Sequence, residues 1–115
     1  MARSKPPYKD PVIWGGAIAT ILQAWDHYPA SAKCNNIQYM TVALCGESGE
    51  FANLVKKILR GHGDVASLEQ EAREELVDIL VYVVKLCDLL EVRIGLETSN
   101  KIRIIRERYG NGRRD

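Results

Sequence analysis

A chain of 115 residues, 46% hydrophobic and 27% charged, can bury roughly two-thirds of its unfolded surface in one core and is too short for two full domains. These are globular values, which exclude collagen-like, low-complexity and disordered classes for the body of the chain. Sixteen Lys and Arg against fifteen Asp and Glu leave a net charge of +1, so nothing draws the chain as a whole to nucleic acid or to an anionic membrane, and any polyanion must be gripped locally.

Residues 1–10 carry charges and prolines where a signal peptide needs an apolar run, and they are expected to form a flexible N-terminal segment ahead of a single domain over 11–109. Asp10 before Pro11 predicts an N-cap followed by proline at the first helical position. Trp14, Ile18, Ile21, Leu22 and Trp25 then recur at helical spacing, so a first helix is expected from about Pro11 to His27, ended by Tyr28 and Pro29. Gly15 and Gly16 weaken its first turn. Asn35 or Asn36 can cap a second helix, whose face of Ile37, Met40, Leu44, Phe51, Leu54, Val55 and Ile58 stops at Gly61, His62 and Gly63.

Ser67 with Gln70 three residues on has the form of a capping box, predicting a third helix from Leu68 to about Val92. Between Leu76 and Leu90 the only charges are Asp78, Lys85 and Asp88, so this helix is apolar nearly all round and must be covered all round. One small chain supplies too few helices for that, which predicts an obligate oligomer. A last helix is expected over Glu97–Tyr109, with Ile102, Ile105 and Tyr109 inward, and 110–115 as a tail containing Arg113 and Arg114. No segment alternates as a strand does, none is long and apolar enough to span a membrane, and the fold class is all-α. The three cysteines, Cys34, Cys45 and Cys87, have neither disulfide-framework nor zinc-site spacing, which fits small core residues in a reducing cytoplasm.

The chemistry lies in two acidic pairs. Glu47 and Glu50 are three apart on the second helix, as are Glu75 and Asp78 on the third, so each pair shares a face. Glu47 falls within the apolar stripe and Asp78 interrupts the apolar run between Val77 and Ile79, so these carboxylates face protein rather than open water. Four acids so placed repel one another and need cations. Lys56, Lys57 and Arg60 lie too far along the helix, and no His or Cys joins the set at ligand spacing. A hard divalent ion with oxygen ligands, often completed by substrate phosphates, suits such a set. Taken singly each pair is more often an exposed charge pair on a solvated face than a ligand set. Glu69, Glu71 and Glu91 read as such charges, and Glu74 fits either a solvated face or a fifth place in the cluster.

The pattern Glu47-x-x-Glu50, 24 residues, Glu75-x-x-Asp78, set in LCGESGEFANLVKKI and EELVDILVYVVKL and followed by NKIRIIRERYG, resembles the MazG-like all-α nucleoside triphosphate pyrophosphohydrolases, over most of the chain from about Trp25 to Tyr109. The resemblance implies a four-helix MazG-like bundle that oligomerises through its long helices as a dimer or dimer of dimers. It implies hydrolysis of a nucleoside or deoxynucleoside triphosphate to the monophosphate and pyrophosphate, with magnesium, or manganese as its substitute, held by Glu47, Glu50, Glu75 and Asp78. Of these, Glu50 is taken as the acid that accepts the proton of the attacking water. Lys101 and Arg108, seven apart on one helix face, resemble the family's phosphate-binding cations, whereas Ile105 departs from the polar residue related sequences often carry there. Lys56 fits either a phosphate contact or a solvated face. Trp25 lies where the family places part of its nucleotide pocket, although large aromatics at helical spacing, Trp14 included, are more often core. From another class, the same chain could be a non-catalytic helical dimer, an interaction or regulatory module whose acids serve only as salt-bridge partners.

Overall fold

The computed structural model describes residues 11–110, which contain four α-helices and no strand: α1 (Pro11–Trp25), α2 (Ile37–Arg60), α3 (Val65–Leu89) and α4 (Ile94–Tyr109). A single 3-10 turn, Lys33–Asn35, precedes α2. The expected Asp10 cap, the N-terminal segment 1–10 and the tail residues 111–115 lie outside the described residues.

Local chemistry fixes the ends. Asn36 caps α2 by accepting the Tyr39 N–H at 2.9 Å. At the other end Gly61 turns into the left-handed region, φ 72°, where the Gly61 N–H reaches the Ile58 carbonyl and the His62 N–H the Lys57 carbonyl. That double bond closes the orphan carbonyls of the last turn. α3 begins three residues earlier than the capping-box pattern predicts. Its cap is Asp64, whose carboxylate accepts the Ser67 N–H at 2.9 Å, so Ser67 supplies a backbone donor rather than the capping oxygen. α3 ends with the same double closure, Glu91 N–H to Asp88 and Val92 N–H to Cys87, but with Glu91 in the left-handed position at φ 55°. α4 also starts early, at Ile94, and Gly95 lies inside it. α1 stops at Trp25, two residues short of expectation.

The short loop 61–64 folds α3 back along α2, and this hairpin is the centre of the molecule, with α1 lying on α3. The core is small: Cys34, Met40, Leu68, Ala72 and Val84 are the buried apolar residues among those described. Cys34 belongs to the 3-10 turn, Met40 to the first turn of α2, and Leu68, Ala72 and Val84 to α3. α4 has no buried residue and no extensive contact with the other helices. Leu76, Val77 and Val83 on α3 are exposed, as is Trp14 on α1, so part of the apolar surface of α3 remains uncovered within one chain.

Candidate metal centre

α2 and α3 run past each other so that the two acidic pairs meet. One carboxylate oxygen each from Glu47, Glu75 and Asp78 lies within 4.8 Å of the others. Glu47 and Glu75 are half-buried and Asp78 is exposed, which puts the group at the lip of the helix hairpin. One oxygen of Glu75 is buried and accepts no hydrogen bond from any protein donor. The Glu75 carboxyl is pushed up to about 7, first by a shared hydrogen bond with Glu47, then by desolvation and by the charges of Glu47, Glu50 and Asp78.

The donor set fits a hard divalent cation. Ligands at about 2.1 Å from magnesium stand no more than about 4.2 Å apart, a separation that modest rotamer adjustment supplies from 4.8 Å. All three donors are carboxylate oxygens, which magnesium and manganese prefer and zinc does not require.

Glu50 is the one member of the expected set of four that stands outside this group. It is exposed and lines an adjoining cleft of about 290 Å³ with Asn53, Leu54, Glu71, Glu74 and Glu75. Glu74, weighed between two roles, belongs to this cleft and accepts from Gln70 at 3.4 Å. Lys56 is exposed on α2, and Lys101 and Arg108 are exposed on α4, the helix that packs least on the others.

Trp25 is tied into the fold. Its indole N–H donates to the Val81 carbonyl at 3.1 Å, and its ring lies 5.8 Å from that of Tyr28 and 6.2 Å from that of Tyr82. A cavity of about 300 Å³ opens beside it, lined by Thr20, Ile21, Ala24, Trp25, Tyr28 and Val81. Tyr82 is the residue the sequence reading passed over. Its phenol is pushed up, first by burial, then by the charges of Glu47 and Asp78 and lastly by Tyr39. The signal was present, since Tyr82 is four residues after Asp78 on the same helix face.

No family profile matches the chain and no solved structure matches it. Among curated proteins, the Gene 37 protein of Mycobacterium phage L5 is 36% identical over 90 residues, covering 74% of this chain and 79% of that protein. All three cysteines are free, and no helix among the described residues is long and apolar enough to cross a membrane.

Proposed function

The chain belongs to the family of the Gene 37 protein of Mycobacterium phage L5, and we propose that it is a magnesium-dependent nucleoside triphosphate pyrophosphohydrolase of the MazG-like kind. The observation that carries this reading is the convergence of Glu47, Glu75 and Asp78 within 4.8 Å, from two different helices, around a buried Glu75 oxygen that no protein donor satisfies. Repulsion among carboxylates this close is relieved by protonation, as Glu75 is poised for, or by a cation.

Glu47, Glu75 and Asp78 would hold the ion. When bound, magnesium neutralises phosphate charge and acidifies a water for attack at neutral pH. Glu50 lies beside the group without belonging to it, which suits a carboxylate that receives the water's proton. Trp25 backs Tyr82 and so belongs to the nucleoside side of the site. Lys56 supplies positive charge from α2, and Lys101 and Arg108 are the cationic clamps for the phosphates.

α4 packs little on its own bundle, so Lys101 and Arg108 reach a site most readily in a homodimer or a dimer of dimers. A further feature supports assembly. Val77 is 58% exposed and Leu96 is 49% exposed, an apolar surface that a second copy would cover.

The deciding assay incubates the protein with each ribo- and deoxynucleoside triphosphate plus magnesium and measures pyrophosphate and monophosphate together. Equimolar release, reduced at least a hundredfold in Asp78→Asn and in Glu50→Gln, supports the reading. Absence of turnover with every triphosphate, together with absence of magnesium binding, would leave the helical interaction module as the better description.

A further inference from the structure

Outside the acidic cluster, one charged side chain among the described residues is strongly buried. Lys85 on α3 is 3% exposed. Its Nζ donates to Asn35 Oδ1 at 2.8 Å and, more weakly, to Asp88 at 3.5 Å. The Asn35 amide in turn donates to the Pro29 carbonyl at 2.8 Å. Taking an ammonium group out of water is costly, and an apolar side chain of the same length would fill the space without that cost. The contacts explain what is gained: Lys85 clamps the connection between α1 and α2 onto α3. That connection contributes only Cys34 to the core, so the clamp fixes the course of its backbone rather than any packing.

The clamped connection forms a wall. Ser31, Lys33 and Asn36 on one side and Gln38, Tyr39 and Val42 of α2 on the other line an open cavity of about 530 Å³. The Lys33 ammonium lies 5.7 Å from the centre of the Tyr39 ring. A volume in this range, an aromatic and apolar floor and a few convergent amide, hydroxyl and ammonium groups are what a small-molecule site requires. The cavity beside Trp25 has fewer polar groups in its lining, and the indole N–H there is already donated to the Val81 carbonyl.

Position relates this cavity to the carboxylates. Tyr39 precedes Glu47 by eight residues, about 12 Å along the helix. Ala43 and Gly46 lie between them, and the missing side chain of Gly46 faces open space. Across on α3, Tyr82 lies one helical turn beyond Asp78 on the same face, with its ring 6.2 Å from that of Trp25.

We propose that the cavity bounded by 31–42 receives the sugar and base of a nucleotide whose phosphates lie at Glu47, Glu75 and Asp78, with Lys33, Gln38 and Tyr39 contacting them, and that Lys85 is the positioning residue that holds its wall. This rests on the pyrophosphohydrolase reading and adds to it where the nucleoside is read.

The test uses the full chain with magnesium and two probes in calorimetry: a nucleoside triphosphate with a methylene group in place of the α,β-bridging oxygen, and inorganic tripolyphosphate, which has no nucleoside. Lys33→Ala/Gln38→Ala is expected to bind the nucleotide at least tenfold more weakly and tripolyphosphate as the wild type does. In turnover, Lys85→Met and the milder Asn35→Ala are expected to raise KM at least fivefold with kcat within twofold, a split that simple loss of folded protein does not produce. Asn35→Ala carries this readout alone if Lys85→Met does not fold. Unchanged nucleotide affinity in Lys33→Ala/Gln38→Ala would overturn the cavity assignment while leaving the hydrolase reading intact. Unchanged KM in both clamp variants would overturn the role of Lys85. If the wild type binds neither probe with magnesium, the hydrolase reading falls and this inference with it.

Discussion

Glu75 is the residue on which the site's electrostatics turn. Its carboxyl titrates at about 7 in the folded chain, against 4.5 for an unperturbed glutamate, so between these values the folded state holds a proton that the unfolded state has released. Stability of the metal-free protein is therefore greatest below about pH 4.5 as far as this group is concerned, and falls as pH rises through 7. Thermal melts between pH 5 and pH 8 are expected to show this decline, and Glu75→Gln, which cannot ionise, is expected to flatten it. Magnesium competes with the proton for the same oxygens, so it is expected to raise the melting temperature at pH 8 and to do much less at pH 5. A decline that persists unchanged in Glu75→Gln would point to another group. At the far end of α3, Glu91 holds a left-handed conformation, φ 55°, that costs a side-chain-bearing residue roughly 1 kcal/mol and glycine nearly nothing. Glu91→Gly is therefore expected to stabilise the fold by about 1 kcal/mol in urea unfolding, and a destabilised variant would mean that the carboxylate has a role the geometry does not reveal.

The elements were legible in the sequence to the extent that their signals were local. Four helices follow from apolar periodicity, and the end of α2 at Arg60 follows from Gly61. The start of α3 was misread because Asp64 and Ser67 are both good capping residues with suitable neighbours, and nothing local ranks them. The structure chooses Asp64. Asp64→Ala is accordingly expected to cost about 1 kcal/mol in chemical denaturation and Ser67→Ala only a few tenths; the reverse order would restore the capping box. The acidic pairs were legible because i,i+3 spacing fixes a shared helix face. Which oxygens come within reach of one ion depends on side-chain direction and on how α2 and α3 cross, and these put Glu50 beside the group of three rather than in it. The clamp was not legible: Lys85 reads only as one of three charges in an apolar run, and its nearer partner, Asn35, is 50 residues away in sequence.

At the scale of the whole molecule, one chain leaves its work unfinished. The core is small, α4 stands with its apolar residues Leu96, Ile102, Ile104 and Ile105 exposed, and Val77 projects from the middle of α3. Sedimentation equilibrium is expected to find a dimer or tetramer, and Val77→Glu is expected to shift it toward monomer; a monomeric wild type would contradict the proposed assembly and the placing of Lys101 and Arg108 in the site. All of this hangs on whether carboxylates from two helices were brought together to bind an ion. The most direct measurement is calorimetric titration of magnesium into the full chain at pH 8, beside Asp78→Asn and Glu75→Gln. Saturable binding in the wild type, lost or weakened at least tenfold in both variants, is the expected result. No saturable binding in the wild type, or affinity indifferent to both substitutions, would contradict the account.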